Sequence, residues 1–242
     1  MYRFGVLSLS YARGESTPYR KLIACLALSG LSVGLGCASK WTAVYAAVGL
    51  AAVYFFILIA VWRAWKREPG AKPLSFVCKT CGFCIIFFVL IPAVIYTLSY
   101  LPISMVDGYG NVFEAMINNQ SYMLHYHSEL GGTHPYSSKW YTWPFVYRPM
   151  WAYQAPQSSI RADQIGCISI FQNPLLSWLG IAAFFYSLYI GIKKKDKRVL
   201  FLAIALLAEY LPWIFVRRYA LQYHFFATLP FMILFIVYAM QD

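Results

Sequence analysis

Six stretches of the chain are apolar over the length that crosses a lipid bilayer, and no other feature constrains the fold as strongly. A hydrocarbon core about 30 Å thick takes about 20 helical residues. Because unpaired backbone groups are costly in lipid, we expect such stretches to form helices. The predicted spans cover residues 22–38, 42–62, 82–101, 174–192, 199–216 and 223–240.

The composition supports a membrane protein. The chain is 60% hydrophobic and only 12% charged, whereas soluble domains carry about 25% charged residues. A soluble enzyme, a disordered tail and a secreted disulfide scaffold are therefore excluded. We predict an all-α, polytopic membrane protein whose residues 1–242 form a single membrane domain of six to seven spans. Residues 2–12 are apolar but short, and we interpret them as the remnant of a seventh span in a truncated chain.

The basic residues predict the orientation of the spans. Thirteen of the twenty Lys and Arg lie on the alternate loops 13–21, 63–81 and 193–198, and such loops usually face the cytoplasm. We therefore expect loop 193–198 and the C-terminus to be cytoplasmic and loop 102–173 to be extracytoplasmic. The net charge of +11 is then explained by topology, and we predict no nucleic-acid partner.

The long loop 102–173 divides into two parts. Asn111 and Glu114 have the spacing of a capping box, and the apolar residues that follow recur at helical spacing. This first part predicts a helix on the membrane surface. The segment 131–160 is rich in Gly, Pro, Trp and Tyr and predicts an ordered, non-helical structure. Loops of this length in compact proteins are usually functional.

Aromatic and polar residues concentrate in this second part. Its Trp and Tyr residues can form an interfacial belt or, held by neighbouring prolines, a binding site for a sugar. The prolines favour a site because a belt needs no rigidity. The candidate residues for sugar or acceptor binding are His127, His134, Tyr136, Ser138, Trp140, Trp143, Arg148 and His224.

Arg217 and Arg218 lie in a short connection on the predicted extracytoplasmic side, against the general charge bias. Adjacent guanidinium groups suit a phosphate because they offer forked donors and permanent charge. The alternative is that both side chains reach to lipid headgroups. We predict a phosphate site at Arg217 and Arg218, with Lys40 as a further cation.

Two groups of residues could suggest a metal site. Cys78, Cys81 and Cys84 lack a fourth soft ligand nearby, and His125 and His127 point to different faces of a helix. Buried thiols and hydrogen-bonding imidazoles explain these residues better. We predict neither a metal nor a cofactor.

Gly30 and Gly34 form a Gly-x-x-x-Gly pair in the first predicted span. Small residues at this spacing let two helices approach closely. The pair therefore predicts helix packing.

An ordered set of short motifs resembles the C-terminal part of bacterial-type protein O-mannosyltransferases, in the glycosyltransferase C superfamily. The resemblance runs from about residue 20 to residue 240 and implies transfer of mannose from a polyprenyl-phosphate carrier to Ser or Thr of exported proteins. The matching pieces are Gly36–Trp41, Tyr126-His127, His134–Trp140, Trp143-Pro144, Arg148–Trp151, Asn173-Pro174, Leu211–Trp213 and Tyr223–Phe226.

The chain also departs from this family. Members carry an Asp-Glu pair in a first large loop, and its aspartate is taken to be the catalytic base, but that loop has no counterpart here. The catalytic residue is therefore unknown, and we expect the chain alone to be inactive. The acids on the predicted outer side have no motif around them: Asp107, Glu114, Glu129 and Asp163.

The resemblance also implies partners. These are polyprenyl-phosphate-mannose, an exported protein, membrane lipid, and the missing N-terminal half or a translocon. The alternative functions are a sibling lipid-linked sugar transferase acting on a lipid or glycan, and a catalytically silent membrane scaffold or transporter.

The orientation can be tested with reporter fusions. We expect a reporter placed after Lys195 to be cytoplasmic and one placed within residues 154–160 to be extracytoplasmic, because the basic loops stay inside. An enzymatic reporter pair that is active on opposite sides of the membrane measures this. The reverse pattern would contradict the predicted topology.

Overall fold

A computed structural model describes residues 1–66, 72–106, 108, 110–129, 134–159 and 161–241. The chain divides into two compact units, Met1–His125 and Tyr126–Asp242. Asp107, Arg67 and residues 131–133 lie outside the described residues. The α-helices are α1 (Tyr2–Ala12), α2 (Tyr19–Ser39), α3 (Ala43–Trp65), α4 (Pro73–Ile85), α5 (Ile91–Leu98), α6 (Leu101–Ser104), α7 (Val112–Glu129), α8 (Pro174–Lys194), α9 (Lys197–Tyr210) and α10 (Leu229–Gln241).

Six helical stretches in the described part of the chain are long and apolar enough to cross a membrane. They coincide with the six predicted spans, so the predicted all-α, polytopic membrane fold is confirmed. The third stretch runs from Pro73 to Ser104 and is longer than predicted. Residues 2–12 do form a helix, but its 11 residues are too few to span a bilayer, which takes about 20.

The first unit is held together by close packing between α2 and the stretch around α5. A Cβ added at Gly30 would lie 2.1 Å from the carbonyl oxygen of Phe87, and one at Gly34 would lie 3.1 Å from Cα of Pro92. Phe87 belongs to a π-helical turn, Ile86–Leu90, which joins α4 to α5. The Gly-x-x-x-Gly pair therefore serves helix packing, as its spacing predicts.

A polar cluster joins α7 to the end of α5 within this unit. Gln120 Nε2 donates to the hydroxyls of Tyr96 and Tyr100, and the distance to Tyr100 is 2.6 Å. Asn119 Nδ2 donates to Tyr100 Oη at 2.9 Å, and Trp41 Nε1 donates to Tyr96 Oη at 2.6 Å. These contacts hold one face of α7 against the helices of the first unit.

The predicted capping box is present at the start of α7. Asn111 Oδ1 accepts hydrogen bonds from the backbone N–H groups of Phe113 and Glu114, and Glu114 Oε2 accepts one from the N–H of Asn111. The helix therefore begins where the sequence predicts. Its position on the membrane surface stays a prediction.

The second unit is built on α8, α9 and α10. A Cβ at Gly180 of α8 would lie 2.8 Å from Cβ of Met232, so α8 and α10 pack closely. Asp196 ends the tight turn between α8 and α9 and caps α9 through the N–H of Arg198. The hydrogen bonds from the Arg198 side chain lower the pKa of Asp196 to about 2.

The aromatic-rich segment is more regular than the sequence suggested. Residues Trp140–Phe145 form a 3₁₀ helix. Strand β1 (Met150–Gln154) then pairs antiparallel with strand β2 (Cys167–Ile170). The sequence missed these short elements because the prolines and aromatic residues hide any clear period.

The packing role of Gly30 can be tested with a matched pair of glycine variants. We expect Gly30→Ala to destabilise the protein by about 1–3 kcal/mol, as overpacking does, because the added methyl group meets backbone. At Gly82, nothing lies within 4 Å of an added Cβ, so Gly82→Ala should be neutral or stabilising. Thermal unfolding in detergent compares the two, and equal Tm values would contradict the packing role.

Candidate functional site

A cavity of about 820 Å³ lies in the second unit, between the 3₁₀ segment and the connection that follows α9. Six of the predicted site residues line it: Ser138, Trp140, Trp143, Arg148, Arg217 and Arg218. The remaining lining residues are Ser137, Lys139, Tyr141, Thr142, Tyr147, Trp213, Ile214, Val216, Tyr219 and Ala220. The volume is within the range of pockets that take small ligands, about 300–1,000 Å³.

Four cationic side chains line this cavity, and no carboxylate is among the described residues that line it. Arg217 is exposed, whereas Arg218 is half-buried and donates to the carbonyl of Tyr219 at 3.4 Å. Lys139 lies 5.9 Å from the centre of the Tyr141 ring. The fourth cation is Arg148. The cavity therefore has a positive wall that favours an anion.

Aromatic rings form the inner wall. Trp143 is 1% exposed and packs edge-to-face on Trp213, with ring centres 5.4 Å apart. Trp140 contacts Tyr210 at 5.4 Å, and the Tyr210 hydroxyl donates to the carbonyl of Trp140 at 2.9 Å. These contacts fix the 3₁₀ segment against α9.

Two buried glutamines hold the same segment from the other side. Gln172 Nε2 donates to the carbonyl of Trp143 at 2.5 Å, and Gln222 Nε2 donates to Gln172 Oε1 at 2.8 Å. Trp143 Nε1 in turn donates to Ser138 Oγ at 3.0 Å. The backbone N–H of Ser138 donates to the carbonyl of Ala220 at 3.0 Å. This chain of hydrogen bonds joins both walls of the cavity.

The predicted histidines surround the cavity without lining it. His134 stacks on Tyr219 at 5.6 Å and accepts a hydrogen bond from the N–H of Tyr136. His224 is buried and contacts Trp213 at 4.2 Å. Burial and, to a lesser extent, the charge of Arg218 lower the pKa of His127. His134 and His224 therefore support residues that line the cavity.

The backbone next to Arg148 has an unusual conformation. Val146 follows the 3₁₀ helix with a φ of 55°, a left-handed conformation that a β-branched residue rarely adopts. Its N–H donates to the carbonyl of Trp143. The turn places Tyr147, which is 75% exposed, and Arg148 at the cavity. Backbone strain of this kind is typical of functional sites.

Two further predictions concern residues elsewhere. Lys40 directly follows α2 in the first unit, and its role at a phosphate stays a prediction. Across the described ranges, no group of three His, Cys, Asp or Glu residues could hold a metal ion. Cys78, Cys81 and Cys84 are free thiols on α4, but Cys78 is exposed and the other two are only half-buried, so the prediction of buried thiols is wrong.

The chain resembles known proteins over most of its length. A protein-family profile, described as the C-terminal four TMM region of protein-O-mannosyltransferase, matches residues 112–241, which is more than half of the chain. The chain belongs to this family. The match includes every cavity-lining residue named above.

Curated relatives extend the comparison. The polyprenol-phosphate-mannose–protein mannosyltransferase of Mycolicibacterium smegmatis (strain mc(2)155) is 25% identical over 244 residues. The protein of the same name from Mycobacterium tuberculosis (strain H37Rv) is 22% identical over 241 residues. Each alignment covers 88% of this chain and 46% of the relative, so the chain spans about half the length of the curated relatives it matches. No solved structure matches significantly.

Several residues at this family member's cavity were missed by the sequence reasoning. Lys139 and Tyr219 line the cavity, and Gln172 and Gln222 brace it. The two glutamines could have been noticed, because each directly precedes one of the motifs that carry the family resemblance. Nothing in their spacing along the chain indicates that they contact each other.

The influence of Arg218 on His127 can be measured directly. We expect Arg218→Gln to raise the pKa of His127, because a nearby positive charge disfavours the imidazolium. Arg217→Gln is the control, since the charge that bears on His127 is that of Arg218. Histidine-selective ¹⁵N NMR in micelles would report both values.

The lowered pKa of His127 also predicts how the stability of the protein changes with pH. The folded protein binds fewer protons than the unfolded chain between the lowered pKa and about 6.5. His127 should therefore reduce stability as the pH falls through that window. An unchanged His127 pKa in Arg218→Gln would contradict the assignment.

Proposed function

We propose that the chain provides the carrier-binding part of a polyprenyl-phosphate-mannose–protein mannosyltransferase, which moves mannose to Ser or Thr of exported proteins. The observation that supports this most is the cavity of the second unit. Four cations line it, and no carboxylate is among its described lining residues. A phosphate attached to a lipid and a sugar is a ligand that such a wall suits.

The arginines have the chemistry that the leaving phosphate needs. When the bond between the anomeric carbon and the phosphate oxygen breaks, its electron pair stays on the phosphate. Fixed donors aimed at this charge lower the barrier. Arg217 and Arg218 can offer forked donors, and Arg148 and Lys139 add positive charge to the same cavity.

The aromatic wall suits the sugar. Trp140 and Tyr141 line the cavity, and their ring faces offer apolar surface, while Ser137 and Thr142 offer hydroxyls beside them. Tyr136, His134 and His224 stabilise this wall through ring contacts with its neighbours. In this proposal Trp143 acts as a support, since it is buried against Trp213.

The reaction also needs a base. The attacking Ser or Thr hydroxyl of the acceptor forms a bond to the anomeric carbon and must lose its proton to a nearby group, usually a carboxylate. Since no carboxylate is among the described lining residues, we assign the base to a part of the enzyme other than this cavity. The cavity then contributes donor binding and leaving-group stabilisation.

The cavity belongs on the extracytoplasmic side in this proposal. Gln172 and Asn173 directly precede α8, beside the cavity. The basic residues Lys193, Lys194 and Lys195 lie at the opposite end of α8. A helix of 21 residues is about 30 Å long, which is one bilayer thickness. The basic end faces the cytoplasm by the positive-inside rule, so the cavity faces out.

The phosphate assignment predicts a specific loss on conservative substitution. We expect Arg217→Lys and Arg218→Lys to weaken binding of a polyprenyl-phosphate sugar about ten- to a hundredfold, because a charged hydrogen bond is worth about 1.5–3 kcal/mol and Lys cannot reproduce the forked contact. The measurement is equilibrium binding of a labelled carrier to the detergent-solubilised protein.

Arg161→Lys is the matched control, because Arg161 is exposed in the same unit and does not line the cavity. It should bind the carrier like wild type. Equal affinity in all of these variants would mean that Arg217 and Arg218 contact lipid headgroups, and the phosphate would bind elsewhere. Strong binding of an unphosphorylated polyprenol would favour a transporter or scaffold instead.

A further inference from the structure

A second cavity, of about 480 Å³, lies in the first unit, where the ends of four helices meet. Tyr11 comes from the end of α1, Tyr19 from the start of α2 and Trp65 from the end of α3, and Phe76 lies in the first turn of α4. The complete described lining is Tyr11, Tyr19, Trp65, Lys72, Ser75, Phe76 and Lys79. The cavity of the second unit shares none of these residues.

The aromatic residues of this second cavity form a connected wall. Phe76 is 3% exposed and contacts Trp65 edge-to-face at 5.1 Å, and it stacks on Tyr11 at 6.0 Å. Tyr19 contacts both Tyr11 and Phe76. Belt residues turn their rings outward to lipid, whereas these rings pack on each other and enclose a space.

The polar side of the cavity is cationic. Ser75 and Lys79 are four residues apart in α4, so they share one face of the helix. Lys72 directly precedes the helix and lines the same cavity. No carboxylate is among the described residues that line the cavity. Two ammonium groups and a hydroxyl therefore line this cavity, and none of its described lining residues could neutralise their charge.

One more polar atom lies within this wall. The hydroxyl of Tyr19 is buried, and it has no hydrogen-bond partner in the described structure. A buried hydroxyl without a partner is costly, and a ligand atom that bonds to it would remove this cost. The Tyr19 hydroxyl and the lysines thus belong to residues that line the same aromatic-walled space.

We propose that this cavity binds the phosphate group of an anionic lipid headgroup. The lysines offer charge to the phosphate, Ser75 and Tyr19 offer hydroxyl donors, and the rings contact the glycerol and the first methylene groups. The site lies where apolar, membrane-length helices end, which is the depth of lipid phosphates. At this end of the unit, basic residues outnumber the one described acid, Glu15; they are Arg13, Arg20, Lys21, Arg63 and Lys66.

The cations select against other ligands of this size. An aromatic cage can also take a quaternary ammonium group, but two lysines beside it would repel such a cation. Cavities of this volume are large enough for a headgroup, at the lower part of the usual range of about 300–1,000 Å³. The negative surface of a membrane also attracts basic clusters of this kind. The proposal does not depend on the mannosyltransferase function.

The test compares lipids on the whole protein in mixed micelles. We expect phosphatidylglycerol to raise the Tm of the wild type more than phosphatidylcholine does, because a ligand of the folded state stabilises it. Lys72→Gln/Lys79→Gln should weaken phosphatidylglycerol binding about tenfold or more. The control, Lys193→Gln/Lys197→Gln, removes two charges from a turn that lines neither cavity and should bind like wild type.

Tyr19→Phe gives an independent result without changing the charge. We expect it to leave the Tm without lipid unchanged or slightly higher, because it removes a buried hydroxyl that lacks a partner. Binding of phosphatidylglycerol should nevertheless fall about three- to tenfold. A purely structural role of the Tyr19 hydroxyl would instead lower the Tm without lipid and leave the binding of phosphatidylglycerol unchanged.

A soluble competitor identifies the source of the phosphate. Displacement of phosphatidylglycerol by glycerol 1-phosphate would support recognition of the headgroup alone, and retention would support recognition that also needs the lipid chains. Equal responses to phosphatidylglycerol in the two double-lysine variants would overturn the proposal. The lysines would then act only as general surface charge. None of these measurements involves mannose transfer.

Discussion

The carbonyl oxygen of Trp143, held by Gln172 and through it by Gln222, is the contact on which the cavity of the second unit depends. This carbonyl accepts one hydrogen bond from the N–H of Val146 and a second from the buried side chain of Gln172. The Gln172 amide needs such a partner because a polar group in an apolar interior is costly without one. Gln172 directly precedes the cap residue of α8, and Gln222 opens the 3₁₀ helix that leads into α10. One hydrogen-bonded chain thus fixes three separate segments, and the aromatic wall follows from it.

In the first unit, different contacts hold the helices together. Lipid gives no hydrophobic force between helices, so close packing and interhelical hydrogen bonds must hold them. Gly30 lets α2 approach the carbonyl of Phe87 in the π-helical turn. At the end of α5, the hydroxyls of Tyr96 and Tyr100 accept donors from α7 and from Trp41. Close packing at a glycine thus lies inside the spans, and the side-chain hydrogen bonds lie at the end of α5.

The sequence predicts the spans well and the site unevenly. Span length and the capping box of Asn111 and Glu114 are local properties, and the chain carries them in consecutive residues. The presence of Arg148 in the same cavity as Arg217 and Arg218 is not a local property. About seventy residues separate them, and their proximity depends on how α8 and α9 fold back. Spacing also could not show that Trp143 is buried, since an exposed and a buried tryptophan have the same sequence signature.

Both cavities place cations beside an aromatic wall at the ends of membrane-length helices, and the energetics of charge explain this arrangement. A cation buried in the interior without a partner would cost several kcal/mol, so an empty anion site deep in the bilayer would destabilise the protein. Arg217 and Lys79, near the ends of spans, are both exposed. The aromatic rings carry the apolar part of a ligand at the same depth. In both proposals the phosphate lies against the cations. The group attached to it lies against the rings: the sugar in the second unit, and the glycerol with its first methylene groups in the first.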